Sequence, residues 1–331
     1  MKPLPTLQDI YRAQSRIRQM ILKTPLWACD NLAEKCGAYS VHLKLECLQN
    51  TGAFKVRGAA NKILSLSTDE KKRGVITFST GNHGKAVAYV AGQIGIKAVV
   101  CISEHVASYR AEIIRKLGAE VSVKGDSQDE AEKNYQHLAA SRDLAPVVPF
   151  DDPLIIAGQG TVALEILAAL PDTEVLFVQL SGGGLLAGIA LAAKSINPDI
   201  FIVGISLEKS PAMLASLKAG KPVQVQEKDS IADSLLGGIG YDNRYTLPLV
   251  NKFTDEHILV TEEDIEDGMF HIFEKHRLIV EGAAAVGVGA LLNRKIDVKG
   301  KRVVLLLTGS SIDNDQYIRI LQNRLTAHRK Q

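Results

Sequence analysis

Apolar residues along the chain fall into short continuous runs separated by longer stretches with helical spacing. The runs are Val75–Phe78, Lys97–Ile102, Glu120–Val123, Val175–Leu180, Phe201–Ile205, His257–Val260 and Val303–Leu307. Most are unbroken Val/Ile/Leu stretches rather than alternations, as expected for parallel strands covered on both faces. Between them, Val106, Ile113, Ile114 and Leu117 share one helical face, and Gly118 is placed to end that helix. Thr261, with Asp264 three residues on, predicts a capped helix start that turns Ile265, Met269, Ile272 and Phe273 inward. Repeated β–α alternation predicts an α/β fold of open, mainly parallel twisted sheets with flanking helices.

Composition narrows the partners. The chain has 331 residues, 46% hydrophobic and 23% charged, with 39 Lys+Arg against 37 Asp+Glu. A net charge of +2 provides no basic field for nucleic acid or an anionic membrane. The length leaves room for one large or two medium domains. Cys29, Cys36, Cys47 and Cys101 form no C-x-x-C pair and have no histidine at zinc spacing, so reduced thiols and no metal centre are expected. The segment from Met1 to Leu22 has no apolar signal core, and the most apolar window, Val175 to Ala193, is broken by Gln179, Ser181 and glycines. A cytoplasmic protein is the expectation.

In parallel sheets ligands bind at the carboxyl ends of strands, and three segments there carry chemistry. Ser181-Gly182-Gly183-Gly184-Leu185 follows one apolar run and opens a helix. Its successive N–H groups and the helix dipole suit a phosphate, although the P-loop lysine and the G-x-G-x-x-G order are both missing. The plain alternative is a tight strand–helix turn. Ser79-Thr80-Gly81-Asn82-His83-Gly84 offers hydroxyls, an amide and helix N-terminal donors for a carboxylate, or simply an N-cap. Thr51 to Gly58 sets Lys55 between Phe54 and Val56. Desolvation there would lower its pKa and make it a Schiff-base nucleophile, whereas most lysines are surface residues. An activated lysine, a phosphate cup and a carboxylate cradle are together what a pyridoxal 5′-phosphate (PLP) enzyme requires.

With those segments, Lys44-Leu45-Glu46, Gly158-Gln159-Gly160-Thr161, Ile231-Ala232-Asp233 and Val303–Asp313 make seven motifs in one order. In this the chain resembles the threonine dehydratase and serine racemase family of fold-type II PLP enzymes, over nearly its whole length. The resemblance implies that Lys55 holds PLP as a Schiff base, with Phe54 beside the ring and Asn82 on the ring's 3′-oxygen. Gly182, Gly183, Gly184 and Leu185 would bind the phosphate, and Ser79, Thr80, Gly81 and His83 the substrate carboxylate. Thr308 would face the pyridine nitrogen, and Glu281 would sit at the ring edge. It further implies a homodimer whose large PLP-binding domain comprises residues 1–63 and 151–331, with a small α/β domain of residues 64–150 inserted.

The implied reaction is elimination of water from a β-hydroxy-α-amino acid to a 2-oxo acid and ammonia, with Lys55 as base. A neutral Thr308 hydroxyl would stabilise a pyridinium less than a carboxylate does, which favours elimination over transamination. Racemisation on the same scaffold is the alternative, weakened because Thr80 replaces a serine acid/base. A metabolite-binding protein without catalysis is a third reading, opposed by the intact Lys55, Asn82 and glycine loop. Ser206 and Ala212 stand where metal-binding relatives carry carboxylates, and Glu208 is out of register. The stretch Ile231 to Arg244, with Phe150–Pro153 and Glu281–Ala285, resembles the hydroxyectoine-utilisation dehydratase branch. There Gly237 and Gly238 would admit a longer hydroxy-diamino substrate, and Asp242 or Arg244 would read its distal group. With only a short stretch after the last strand, no regulatory domain like that of biosynthetic threonine dehydratases is expected.

Overall fold

The protein is described by a computed structural model over residues 3–79, 81–106, 108–126 and 128–328. Its strands are β1 (Leu26–Ala28), β2 (Ser40–Lys44), β3 (Val75–Phe78), β4 (Ala98–Ile102), β5 (Glu120–Val123), β6 (Ala145–Pro146), β7 (Val175–Gln179), β8 (Phe201–Leu207), β9 (Glu256–Val260) and β10 (Arg302–Leu306). The helices are α1 (Leu7–Ile17), α2 (Asp30–Cys36), α3 (Lys55–Leu64), α4 (Thr68–Arg73), α5 (Asn82–Gln93), α6 (Ser108–Lys116) and α7 (Gln128–Ser141). They continue with α8 (Pro153–Ala169), α9 (Gly184–Ile196), α10 (Ala212–Ala219), α11 (Thr246–Phe253), α12 (Glu262–His276), α13 (Gly282–Leu292) and α14 (Asn314–His328).

Two sheets form, in the orders β1-β2-β10-β7-β8-β9 and β5-β4-β3-β6. Every pairing is parallel except β1 with β2. The continuous apolar runs have the predicted consequence: alternate residues feed two cores. Val175, Phe177, Val303 and Leu305 join α2, α12, α13 and α14 on one face of the larger sheet. Leu176, Val178, Val304 and Leu306 join α1, α8 and α9 on the other. No helix among the described residues is long and apolar enough to cross a membrane.

The expected strands are present to within two residues, but β1, β2 and β6 have no counterpart in the apolar runs. β2 alternates in burial and ends on Lys44, and β1 is an exposed edge. β6 is two residues long, so none carries a continuous hydrophobic signal. The helix expected around Val106 begins only at Ser108, and Ile113 faces outward while Ile114 is buried. The Thr261–Asp264 capping box forms as predicted, with Ile265, Met269 and Ile272 buried below it.

Candidate active site

The helix that opens with Lys55 is stitched to the end of the larger sheet. Phe54 N–H donates to the Thr308 carbonyl (3.1 Å), and Ser310 N–H donates to the Gly52 carbonyl (2.9 Å). Ala53 bridges Gly309 in antiparallel fashion. Residues 51–54 therefore run along the segment leaving β10, and Lys55 opens α3 beside it. The Lys55 Nζ donates to the Pro149 carbonyl (3.2 Å) and lies 5.3 Å from the Phe54 ring centroid. Desolvation is the main influence on this amine and lowers its pKa to about 8; the Glu281 charge acts in the opposite sense.

The N-terminus of α5 faces the same region. Gly81 is its N-cap and accepts the Lys85 N–H, while Gly81 N–H reaches Ser79 Oγ at 3.4 Å. Thr80 lies outside the described residues. Asn82 Nδ2 donates to both Glu281 oxygens (3.0 and 2.9 Å), and its Oδ1 is buried without a partner. The His83 Nε2 pairs with the Val147 carbonyl (2.9 Å), two residues from the carbonyl that holds Lys55. Its Nδ1 is buried and unpartnered. Burial, reinforced by the nearby Lys55 charge, pushes the His83 pKa down to about 3, so this ring stays neutral.

Glu281 is the hub. It precedes α13, its N–H donates to the Gly309 carbonyl (3.1 Å), and its carboxylate accepts from Asn82, Ser311 N–H (3.1 Å) and Ser234 Oγ (3.4 Å). Burial drives its pKa up to about 7 even though the Asn82, Ser311 and Ser234 bonds favour the charged form. Lys85 Nζ donates to Ser311 Oγ (3.0 Å), at the rim of this group.

The glycine loop leaves the end of β7, and Gln179 Nε2 ties that strand end to the Leu306 carbonyl of β10 (2.8 Å). Gly183 is the N-cap of α9 with φ +87°, a left-handed conformation, and a Cβ there would come within 2.7 Å of Met213 Cε. Among the described residues no acceptor pairs with the N–H groups of Gly182, Gly183, Gly184 or Leu185. Four donors at a helix N-terminus are thus free for an anion.

Contacts link Phe54, Lys55, Asn82, His83, Glu281 and Thr308 into one group, in which Thr308 is buried. Among the described residues the glycine loop shares no direct hydrogen bond with that group. It meets it through the strand ends and through Phe150, which follows Pro149 and lies against Gly182 and Gly184. Four partners were not foreseen from sequence: the carbonyls of Val147 and Pro149, the Ser311 N–H, and Ser234. Ser234 directly follows one of the seven motifs, while a carbonyl leaves no trace in residue type.

Behind Lys55, on the other side of α3, lies a buried ionic network. Arg57 donates to Glu46 (2.7 and 2.8 Å), Glu165 (2.6 and 2.9 Å) and Thr161 Oγ1 (3.2 Å). Lys44 donates to Glu165 (2.6 Å) and the Thr24 carbonyl (2.8 Å), and Thr24 Oγ1 donates to Glu46 (2.5 Å). Gly158 lets α8 come this close to α3, because a Cβ there would lie 2.6 Å from the Arg57 carbonyl oxygen. Two of the ordered motifs, Lys44–Glu46 and Gly158–Thr161, thus serve to fix the helix that presents the lysine.

Comparison with known proteins agrees with this geometry. Residues 17–309 match the family of pyridoxal-phosphate-dependent enzymes. The chain belongs to that family: it is a PLP-dependent enzyme. A Sinorhizobium fredii protein provisionally named a threonine dehydratase is 46% identical over 93% of this chain and 92% of its own length. The L-threonine ammonia-lyase of Thermotoga maritima is 40% identical over 97% of this chain and 79% of its own. Maize serine racemase superposes with a TM-score of 0.91, at 30% identity, covering 99% of this chain and 100% of that one. The relatives by sequence are lyases, and the chain stands with these PLP-dependent lyases.

Proposed function

We propose that the protein is a PLP-dependent dehydratase that removes water from a β-hydroxy-α-amino acid, giving a 2-oxo acid and ammonia. The observation that carries this reading is the Lys55 amine, held to a pKa of about 8 beside the Asn82–Glu281 pair at one strand end. The residues fit the cofactor. The loop of α9 has four free N–H donors for its phosphate, and Asn82 has a buried carbonyl oxygen with no protein partner. PLP would supply an electron sink for the charge developing at the substrate Cα.

In this reading Lys55 would hold the cofactor, and its amine, freed when the substrate amine displaces it, would take the Cα proton. Gly182, Gly183, Gly184 and Leu185 would hold the phosphate, and Phe54 would pack beside the ring. Asn82 and Glu281 together address the ring edge, where a carboxyl with a pKa of about 7 can hold or release a proton. Thr308, buried just past the end of β10, would face the pyridine nitrogen as a neutral partner. Ser79, Thr80, Gly81 and His83 receive the substrate carboxylate at the α5 N-terminus. The His83 ring, bonded to Val147, orients that turn without carrying charge. The small domain of residues 64–150 would close over the cofactor against the larger one, in a homodimer, and the free thiols suit a cytoplasmic setting.

For the substrate we propose a longer hydroxy-diamino acid of the hydroxyectoine type. Gly237 and Gly238 have open space where a side chain would stand, which supports room for length. Asp242 and Arg244, expected as readers of a distal group, bond each other at 2.5 Å and are exposed, so the specificity is assigned to the glycines instead. Likeness to maize serine racemase favours racemisation as a second reading. One experiment separates them: incubation with a panel of β-hydroxy amino acids, hydroxylated diaminobutyrates included, scored for 2-oxo acid, ammonia and inverted enantiomer. Keto acid and ammonia are expected to dominate. Inverted amino acid without keto acid would replace the dehydratase reading with the racemase.

A further inference from the structure

A thiol and two imidazoles converge on the face of the larger sheet covered by α2, α12 and α13. Cys29, the residue before α2, lies 3.1 Å through its Sγ from Nε2 of His276, the last residue of α12. His271, five residues earlier, brings its ring to the same place, and the ligand atoms of all three lie within 4.8 Å of one another. Asn31 Oδ1 completes the group, 3.5 Å from Cys29 Sγ and 2.9 Å from His271 Nε2. Cys29 and His271 are buried and His276 is half-buried, so the cluster has one side toward solvent.

Metal-bound sulfur at about 2.3 Å and nitrogen at about 2.0–2.1 Å place neighbouring ligands of a tetrahedron roughly 3.3–3.6 Å apart. Cys29 Sγ and His276 Nε2, at 3.1 Å, are close to that spacing, and all three ligand atoms lie within 4.8 Å, so an ion would draw them together by side-chain rotations of up to about 1 Å. One thiolate and two imidazoles are a borderline-soft donor set, which suits zinc better than magnesium or calcium. The same groups pair with one another, the Cys29 thiol with His276 Nε2 and the His271 ring with Asn31 Oδ1, so an ion would replace these hydrogen bonds. Burial favours the neutral form of both rings and also of the Cys29 thiol, whose pKa it raises to about 11, so the ion must displace the thiol proton. Lys35 and Lys275 act in the same direction on His271, and Glu274 against them.

We propose that Cys29, His271 and His276 form a zinc-type site, with Asn31 Oδ1 on the fourth side and no part in the PLP site. On binding, the Cys29 S–H bond breaks, the proton goes to solvent and the thiolate pair bonds the divalent ion. The metal would pin the N-terminus of α2 to the C-terminus of α12 and stabilise the folded chain by mass action.

The test is an anaerobic titration of chelator-treated holoenzyme with Co2+, followed by Zn2+. One Co2+ per chain is expected, with the thiolate charge-transfer and tetrahedral ligand-field bands of such a site, displaced by Zn2+. Zn2+ should also raise the unfolding midpoint. Cys29→Ser and His276→Ala should each weaken Co2+ binding by roughly tenfold or more, and Lys55→Ala should bind it as the wild type does. His276 ends its helix and is half-buried, so its alanine variant is expected to fold, as retained cofactor absorbance would verify. Wild type that takes up no more Co2+ than Cys29→Ser, or Co2+ bound without a thiolate band, overturns the proposal.

Discussion

Two groups of buried charge flank the first turns of α3, and they are built oppositely. On one side Arg57 and Lys44 face Glu46 and Glu165, and every cation has at least two partners. On the other, Lys55 has a single carbonyl, Asn82 Oδ1 and His83 Nδ1 have nothing, and Glu281 is pushed toward its neutral form. A buried ion left without compensation costs several kcal/mol, so the first arrangement is what a scaffold needs. The second leaves polar capacity unspent, which is what a ligand can use. Lys55 and Arg57 are two residues apart, about 200° around a helix, so one short segment serves both purposes.

The comparison breaks most sharply at the two basic residues. Lys55→Ala should abolish turnover and the cofactor's visible absorbance, while the unfolding midpoint stays within a few degrees of wild type; activity assay and absorbance scan read both. Arg57→Met should do the reverse, costing about 3–5 kcal/mol of stability because Glu46 and Glu165 are left buried without it. Urea unfolding measures that loss. A stable Arg57→Met would mean that the network is dispensable.

Titration sharpens the contrast. Glu281 holds its proton more tightly when folded, with a pKa raised from 4.5 to about 7. In the cofactor-free chain its contribution to stability therefore falls as pH rises through that window. Lys55 is lowered from 10.5 to about 8, so its contribution rises with pH between those values. Glu281→Gln should flatten the first slope and, because the Glu281 charge raises the Lys55 pKa, let the second begin at lower pH. Equal slopes in wild type and variant would move the titration to another group.

Smaller effects follow at the rim. Gly183→Ala forces a side chain into a left-handed position against Met213, a strain of about 1–3 kcal/mol. It should weaken PLP affinity by roughly five- to a hundredfold in equilibrium titration. Asp242→Ala removes only an exposed pair with Arg244, so the unfolding midpoint and turnover should not move measurably. A clear loss of turnover there would return that pair to substrate recognition.

What could be read from sequence was whatever is local. Continuous runs such as Val175–Leu180 mark the buried strands because both faces need apolar residues. Lys55, Asn82 and the glycine loop stand out because helix N-termini and positive-φ turns demand particular residue types nearby. β2 was silent, since its alternating burial and terminal Lys44 resemble a loop. The partners of Arg57 were silent too: Glu165 is 108 residues away, and nothing in either neighbourhood announces the other. The same distance effect hid the cluster at Cys29, whose His276 is 247 residues distant. Spacing rules for metal ligands see only neighbours along the chain, so the expectation of no metal centre rested on short-range patterns. His83 was expected to help hold a carboxylate; the sequence did not show that its Nε2 pairs with the Val147 carbonyl while Nδ1 stays unpartnered.

The most direct test of the central claim is where the cofactor attaches. The chain, loaded with PLP and reduced with borohydride, should carry one phosphopyridoxyl group per chain, located on Lys55 by peptide mass mapping. It should be absent from Lys55→Ala and retained in folded Glu281→Gln. A stable adduct on another lysine such as Lys85 or Lys44, with Lys55 unmodified, would contradict the account.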